Sequence, residues 1–520
     1  MTANQQNNTG VSTSPAGAPV PIGQPVFPTV VFGAVGDGVA DDTAALQRAI
    51  DACAAAGGGR VLLHNGRFLS GTLELRSHVE LHLTSSAVLL GSVNLADYRR
   101  DLKMPYRNLN RALVYAADCE HVAVTGDGVL DGQGAAFATD QREAAERPAL
   151  IRLRACRNVR VEGVLLKDSG TFALHTIQCR QVRIDGLRID NLVMPCADGI
   201  DIDGCQDVFV ANCNIHSDDD CIALKTLEKG HPCRDVVITN CILSSHCAAI
   251  RIGPDALENI ERVSVSNCVI RDTRLNGIKI QESFGARIGD LVFSNIVMDR
   301  VVGPISLRLA GWRCENAWYS YVFERDFDDS NWEAGKLENV LFENIRARTT
   351  TDCDWLRKEA ISITGAGKAR PRGITFSNVD VTFMGGGTAE EGTRRGVPDC
   401  THDYPELGMF GVLPAYGLYI HHADEIVLNN VRFRVESEDR RPAVVCDDVQ
   451  DLELTGFKAQ GHPEAEALIR MENTRRAFIS HSRPLGEVKT LVRVEGAASA
   501  GIELHGNFPA GAQEIDAKQM

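Results

Sequence analysis

The sequence predicts an all-β solenoid, a fold in which successive turns of short strands stack on one another. Seven segments share one pattern: an apolar, β-rich run, then Asn, then an apolar residue or Cys. The first three intervals between these asparagines are 28, 27 and 28 residues. A fixed period of this size, built from short strands, is typical of a solenoid. The asparagines are Asn212, Asn240, Asn267, Asn295, Asn344, Asn378 and Asn430.

Glycine takes the Asn position in four further segments, at Gly126, Gly163, Gly186 and Gly456. Both residue types tolerate a left-handed backbone, and Asn can also hydrogen-bond to its equivalents in the turns above and below. A β-sandwich is the alternative fold, but it gives no reason for Asn to recur at constant register. The later intervals of 49, 34 and 52 residues leave room for a longer loop or an extra turn.

A short amphipathic helix is predicted over residues 43–56, where apolar residues recur at helical spacing. Asp41 or Asp42 can cap its start, and Gly57 to Gly59 end it. Such a helix would cover the open end of the solenoid, which would otherwise be an exposed sheet edge.

The 520 residues are organised, on this interpretation, as one elongated catalytic domain over residues 29–510. Residues 1–28 are expected to form a flexible tail rich in Pro, Gly, Ser and Asn, and residues 511–520 a C-terminal tail. Loops are expected beside the solenoid at 98–112, 136–148, 312–336 and 385–415. The third of these contains three of the four tryptophans, including Trp312, which could stack on sugar rings or pack on the solenoid.

Composition excludes some partners. The net charge of −15 disfavours nucleic acid, which needs a basic surface, and long-range attraction of a polyanion. No apolar run is long enough to span a membrane. The 16 cysteines show no zinc-site spacing and suggest a reducing compartment, and residues 1–25 do not resemble a signal peptide. We therefore expect a cytoplasmic protein without cofactor or metal, whose oligomeric state the sequence does not indicate.

Carboxylates are concentrated in two neighbouring repeats. Asp198 and Asp219 are 21 residues apart, close to the repeat length. On adjacent turns they would lie about one strand spacing (about 4.8 Å) apart. Carboxylates this close, in a cleft, suit general acid/base cleavage of a glycosidic bond. The alternatives are a solvated acidic turn, or a calcium site made by residues 218–220 with Asp198 and Asp201.

Four segments together resemble glycoside hydrolase family 28, the polygalacturonase family, within the pectate-lyase-like right-handed parallel β-helix superfamily. They are FGAVGDGVADDTAALQRAI, NLVMPCADGIDID, HSDDDCIALKT and DTRLNGIKIQ, and the resemblance spans roughly residues 29–460. The first segment resembles the family's N-terminal cap. The two acidic segments match its Asn-Thr-Asp-Gly and Gln-Asp-Asp-Cys segments, and the last its Asn-Gly-x-Arg-Ile-Lys segment. The resemblance implies a right-handed parallel β-helix.

The resemblance also implies catalytic roles. Asp198, Asp219 and Asp220 match the family's three aspartates, and the family inverts configuration at the anomeric carbon. By resemblance Asp219 is the candidate general acid, and Asp198 with Asp220 the pair that holds the attacking water. Closely placed carboxylates raise the pKa of one of them, which lets a proton donor persist at neutral pH.

The sequence departs from the family at three places. Cys196 replaces the Asn of the first acidic segment, and His246 is out of register with the histidine of the family's Gly-His-Gly segment. The Arg/Lys pair that reads the substrate carboxylate in the family becomes Lys279 and Gln281, and neither side chain reproduces the bidentate grip of Arg. These changes point away from polygalacturonate itself, towards a related glycoside. The further candidates for substrate contact are His175, Arg251, Arg308 and Trp312.

The predicted function is therefore a glycoside hydrolase that acts on a pectin-like oligo- or polysaccharide, exo-acting if loops block one end of its cleft. Two enzymatic alternatives stay open on the same fold: a β-elimination lyase and an intramolecular glycosyl transferase that releases a cyclic disaccharide. The non-enzymatic alternative is a glycan-binding solenoid, which the dense carboxylates disfavour.

Overall fold

The computed structural model describes residues 25–101, 110–137, 147–310, 333–353 and 359–517. Within these ranges the chain forms a parallel β-helix with three sheets, here called A, B and C. Each turn contributes one strand to each sheet, and every pairing between the named strands is parallel, for example Ile200–Asp203 with Ile222–Thr226. The predicted fold class is thus confirmed.

The strands of each sheet stack in register along the axis of the β-helix. Sheet A contains Val26–Pro28, Gly59–Leu63, Val79–Leu83, Ala123–Gly126, Arg157–Glu162, Arg180–Asp185, Gln206–Ala211, Cys233–Thr239, Ile260–Ser266, Arg372–Ser377, Arg475–Ser480 and Ala500–His505. Sheet B contains Asp37–Asp41, Gly66–Ser70, Ala87–Gly91, Val129–Asp131, Leu165–Lys167, Arg188–Asn191, Asn214–Ser217, Ile242–Ser245, Asp380–Phe383, Arg432–Val435, Lys458–Gln460 and Arg483–Leu485. Sheet C contains Leu73–Glu74, Ala112–Ala117, Ala149–Arg154, Leu174–Ile177, Ile200–Asp203, Ile222–Thr226, Ile250–Ala256, Ile361–Thr364, Ile469–Glu472, Thr490–Glu495 and Gln513–Ala517.

Longer strands pass from one sheet into the next without a break. They are Val269–Glu282, Arg287–Leu309, Lys336–Thr349, Leu418–Asn429 and Val444–Thr455. In the described ranges the α-helices are Thr43–Ala55 and Ala389–Gly392, and the 3₁₀ helices are Thr29–Phe32, Leu95–Asp97, Gly134–Ala136 and Leu407–Phe410.

An asparagine ladder runs along the corner between sheets A and B. All seven predicted asparagines have a left-handed backbone, with φ between 51° and 58°. The Asn344 side-chain amide donates to Asn295 Oδ1 at 3.2 Å and accepts from Asn378 at 3.3 Å, and other neighbouring members make similar bonds. Because Asn344 bonds to Asn295, Asn378 to Asn344 and Asn430 to Asn378, each long interval spans a single turn of the β-helix.

The interior is filled by the inward-facing residues of all three sheets. Phe293, Phe342 and Phe376 on three successive turns stack at ring separations of 5.1 and 4.9 Å. Cys213 and Cys241 are buried at equivalent places in adjacent turns, as the sequence predicts. Every cysteine in the described part of the chain is a free thiol.

The predicted capping helix is confirmed as Thr43–Ala55, and it buries Leu46, Ile50 and Cys53 against the first turn. Its start differs in detail from a simple cap. The Thr43 amide donates to Asp41 at 2.9 Å, whereas the buried Asp42 accepts from the amides of Val35 and Gly36 at 2.6 and 2.9 Å.

Both predicted tails need shorter bounds. Strand Val26–Pro28 lies within residues 1–28 and pairs with Gly59–Leu63, and strand Gln513–Ala517 lies within 511–520 and pairs with Thr490–Glu495. Each extends the stack by one strand, which satisfies the backbone groups of its neighbour. Among the helices of the described ranges, none has the length and apolar character needed to cross a lipid bilayer.

Candidate active site

Sheet C brings the predicted aspartates together. Asp198 precedes strand Ile200–Asp203, and Asp219 and Asp220 precede the neighbouring strand Ile222–Thr226. Gly199 permits this approach, because a Cβ there would lie 2.5 Å from the carbonyl oxygen of Cys221. The Asp-Gly pair of the first acidic segment therefore lets the next turn close tightly on the carboxylate.

Asp198 is held by the adjacent turn. The Asp220 amide donates to its Oδ1 at 3.3 Å, and Lys225 Nζ donates to its Oδ2 at 2.9 Å. Lys225 Nζ also lies 2.6 Å from Asp201 Oδ1, so one cation serves two buried carboxylates. Burial and the charge of Asp201 raise the pKa of Asp198 well above its ordinary value.

Asp220 is paired with a different cation. Its Oδ2 lies 3.1 Å from Arg251 Nη1, and its Oδ1 accepts from the Ala248 amide at 3.2 Å. Burial alone would raise the pKa of this carboxyl. The charges of Arg251, Lys279 and Lys225 outweigh that effect and lower the pKa below its ordinary value. Asp220 is therefore an ionised carboxylate at neutral pH.

Asp219 has the opposite electrostatic environment. Its Oδ1 is enclosed and has no hydrogen-bond partner among the described residues. Burial, together with the charges of Asp220 and Asp198, raises the pKa of Asp219 to about 7. Two adjacent carboxyls with pKa values driven apart are what acid/base chemistry needs: one holds a proton and the other is ionised.

Arg251, Lys279 and Gln281 lie on the outer face of sheet C, one or two turns beyond Asp220. A segment of the predicted 385–415 loop, Tyr404 to Glu406, covers all three. Lys279 pairs with the Glu406 carboxylate, Gln281 donates to the Pro405 carbonyl, and Arg251 donates to the Tyr404 hydroxyl. Lys279 is fully buried by this contact. The loop therefore covers sheet C on the two turns that follow the acids.

Two of the weaker candidates are enclosed side chains on sheet C. His175 is fully buried beside the acids, 3.8 Å from Asp203 Oδ2, and its cross-strand neighbour is Asp201. Arg308 donates to the carbonyls of Gly365 and Cys400 at 2.8 and 3.1 Å. Arg308 therefore anchors the loop and not a ligand, since its donors are used by backbone carbonyls.

His246 and Trp312 complete the predicted set. His246 Nδ1 lies 3.1 Å from Asp218 Oδ1, in a cavity of about 280 Å³ that Arg271 and Arg300 also line. This places it beside the acid cluster and not among the three catalytic candidates. Trp312, in the 312–336 loop, lies outside the described residues.

The geometry does not favour the calcium alternative. Asp218 is turned towards His246, and Asp198 and Asp201 are both bound to Lys225. Ligand atoms of Asp219, Asp220 and Cys247 do lie within 4.8 Å of one another. Arg251 already neutralises Asp220 in that group.

Sequence reasoning missed two parts of the site. Lys225 could have been found by strand alternation: Ile222 and Leu224 face inward, so Lys225 must face outward, beside the acids of the preceding turn. The contact of residues 404–406 with sheet C could not be predicted from the sequence, because these residues lie in a loop that does not follow the repeat.

A sequence model described as "Glycosyl hydrolases family 28" matches residues 60–395, which contain all three aspartates and Lys279. The chain belongs to glycoside hydrolase family 28. A "Probable polygalacturonase" of Vitis vinifera is 29% identical over 280 residues, which are 49% of this chain. That match spans only 57% of the relative's own length.

Solved structures of two exopolygalacturonases show the same fold. The exopolygalacturonase of Yersinia enterocolitica superposes with a TM-score of 0.63 at 20% identity, covering 80% of this chain and 76% of its own. A hyperthermoactive exopolygalacturonase from Thermotoga maritima superposes with a TM-score of 0.59 at 20% identity, covering 79% and 93%. These likenesses support the parallel β-helix seen here.

Proposed function

We propose that this family 28 protein is an inverting, exo-acting glycoside hydrolase of a pectin-like oligosaccharide. The observation that carries the proposal is the pair Asp219 and Asp220: adjacent carboxyls on one edge of sheet C, the first with a pKa of about 7 and the second with a lowered pKa. A protonated and an ionised carboxyl side by side are the two groups that hydrolysis of a glycoside requires.

In the proposed mechanism Asp219 donates its proton to the leaving-group oxygen as the glycosidic bond breaks. Asp220, with Asp198, holds a water and accepts its proton as the water attacks the anomeric carbon from the opposite face. Lys225 Nζ lies 2.9 Å from Asp198 Oδ2 and holds that carboxyl group in place. The charge of Arg251 keeps Asp220 ionised. The products are the shortened glycan and the inverted sugar, together heavier than the substrate by one water.

Exo action rests on the segment Tyr404 to Glu406. This segment binds the side chains of Arg251, Lys279 and Gln281. In the proposed enzyme it would block the substrate cleft on the side of the acids where these residues lie. The family's relatives include proteins named polygalacturonase and exopolygalacturonase. In this chain, however, the cation that would read a uronate carboxylate there is paired with Glu406. We therefore expect a sugar without a carboxylate at that subsite.

The experiment is a product analysis on purified protein with pectic, rhamnogalacturonan, fructan and neutral oligosaccharides, run in ¹⁸O-labelled water. Release of end sugars carrying ¹⁸O supports exo hydrolysis. Products whose summed mass equals that of the substrate would instead indicate the lyase or the intramolecular transferase, and ultraviolet absorbance would identify the lyase. Glycan binding without any product would leave only a binding solenoid.

A further inference from the structure

A second cluster of polar side chains lies on sheet C, outside the acid site. Asp399 belongs to the loop of residues 385–415, here called the covering loop. It lies against His421 and His422 of strand Leu418–Asn429. His421 Nε2 lies 3.0 Å and His422 Nε2 lies 3.2 Å from the same oxygen, Asp399 Oδ1. One ligand atom from each of the three residues lies within 4.8 Å of the other two.

The backbone is bent to bring both imidazoles to one side. Neighbouring residues of a strand normally point to opposite faces. His422 has a left-handed backbone, with φ of 49°, at the corner where sheet C turns into sheet A. As a result the two rings lie together, with their centroids 3.8 Å apart. Left-handed residues recur at the corners of this β-helix, as at His481 and Asp448, so the bend at His422 belongs to the fold.

The next turn supplies one carboxylate for each histidine. Asp447 is the cross-strand neighbour of His421, and Asp448 follows it with the same left-handed kink. His421 Nδ1 lies 3.1 Å from Asp447 Oδ2, and His422 Nδ1 lies 2.7 Å from Asp448 Oδ2. Metal-bound histidines usually have a carboxylate or carbonyl beside the second ring nitrogen, and Asp447 and Asp448 lie in that position here.

The Asp399 carboxylate is also held with one oxygen towards the two histidines. Its Oδ2 accepts from the Gly367 amide at 2.9 Å, which leaves Oδ1 directed at the two histidines. The two Nε2 atoms and Asp399 Oδ1 thus converge on one point, where they share hydrogen bonds. A cation bound between them would replace the protons of these bonds, since imidazole nitrogens and a carboxylate oxygen are all metal ligands.

We infer that Asp399, His421 and His422 form a binding site for a divalent transition-metal ion, with zinc as the best fit. Two imidazole nitrogens and one carboxylate oxygen are a zinc ligand set, with a fourth position for water. Tetrahedral bonds of about 2.0–2.1 Å place ligand atoms about 3.3 Å apart. The observed 3.0 and 3.2 Å are close to this spacing. Oxygen-preferring Ca²⁺ or Mg²⁺ would not select two imidazoles.

The ion would fasten the covering loop to the β-helix. Asp399 belongs to the loop that continues to Tyr404 and Glu406, and Arg308 already holds its neighbour Cys400. His421 is three turns from Gln281 in the register of sheet C, which is roughly 14 Å at the usual strand spacing. Metal binding at Asp399 would thus order the segment Tyr404 to Glu406 of the same loop, which covers sheet C beside the acids.

The test is calorimetric titration of zinc into the full chain after stripping with a chelator, followed by cobalt substitution. We expect one zinc per chain, a tetrahedral cobalt absorption spectrum, and slower proteolysis within 385–415 when zinc is bound. Asp399→Asn and His422→Gln should each weaken zinc binding at least about 100-fold, and Asp448→Asn by about 10–100-fold. Circular dichroism without metal establishes that each variant is folded.

His481→Gln is the matched control, because His481 is an exposed histidine that also has a left-handed backbone at a turn. Its zinc affinity should equal that of the parent. Asp219→Asn separates this site from the group formed by Asp219, Asp220 and Cys247, and should also leave zinc binding unchanged. The inference is overturned if the parent binds no zinc, if binding survives both ligand variants, or if Asp219→Asn abolishes it. These readouts need no substrate, so they are independent of the proposed hydrolase activity.

Discussion

The ammonium group of Lys279 on sheet C is paired with the carboxylate of Glu406, which follows it by 127 residues in sequence. Lys279 stands where family 28 relatives are expected to read a substrate carboxylate. In this chain a side chain of the protein itself supplies that carboxylate. If Lys279 contacts the substrate as proposed, this pair links the covering loop to the choice of substrate.

Glu406→Gln should change that choice. The variant leaves the buried Lys279 without a carboxylate, and loss of one partner of a buried ion pair costs about 3–5 kcal/mol. We expect a lower melting temperature, which galacturonate should raise more than it raises that of the parent protein. The ratio of kcat/KM for acidic over neutral substrates should increase about tenfold.

Glu390→Gln, at an exposed position of the same loop, is the control for this variant and should behave as the parent does. Equal responses of Glu406→Gln and the parent to galacturonate would show that the Lys279 subsite does not bind a carboxylate.

Asp219→Asn should lower kcat by about 10²–10⁴, the usual contribution of a general acid. Asp218→Asn is a matched control one residue away, because Asp218 is partly exposed and lies against His246. Its kcat should remain within about threefold of the parent value. Steady-state rates on the best substrate measure both. Similar losses in the two variants would remove Asp219 from its assigned role.

The pH profile of kcat/KM should be asymmetric. Asp219 must be protonated to act, and its pKa is about 7, so activity should fall about tenfold per pH unit above that value. Asp220 must be ionised, and its pKa is lowered, so activity should persist to below pH 4 as far as this group is concerned. An activity that rises between pH 7 and pH 9 would contradict the assignment.

Substitutions in the asparagine ladder should test what holds the turns together. Asn344→Ala removes the side-chain hydrogen bonds to Asn295 and Asn378 on the two neighbouring turns. It also places alanine in a left-handed backbone, with φ of 54°, which asparagine tolerates better. We expect a loss of about 2–4 kcal/mol in the free energy of unfolding, from two hydrogen bonds and a left-handed alanine.

Asn344→Gly is the control, since glycine takes the equivalent position at Gly163 and Gly186. It restores the backbone freedom but not the bonds, so it should lose less than Asn344→Ala. Denaturant melts of the two variants measure the difference, and an equal loss would assign the whole effect to the side-chain bonds.

The sequence predicts well what depends on register. Because Asn344, Asn378 and their equivalents repeat at one corner, the stacking of turns could be predicted before any coordinates. The same repeat predicts that Asp198 lies beside Asp219 on the next turn; the observed register, with Ile200 opposite Ile222, aligns Asp198 with Asp220 instead. The position of Lys225 could have been predicted in the same way, since strand alternation puts its side chain on the outer face of sheet C.

Contacts made by loops could not be predicted in this way. Glu406 reaches Lys279, and Asp399 reaches His421, from a loop that obeys no repeat and is positioned by Arg308 and by packing. Neither pair has a spacing that indicates contact. The identity of the carboxylate beside Lys279 thus required the folded structure.

Proton NMR of the first-formed product is the decisive measurement for inverting hydrolysis with Asp219 as the acid. We expect the anomeric configuration of the newly formed reducing end to be opposite to that of the bond cleaved. Asp218→Asn should form the same anomer, and Asp219→Asn should form almost none. A product of retained configuration would contradict the account, as would undiminished formation by Asp219→Asn.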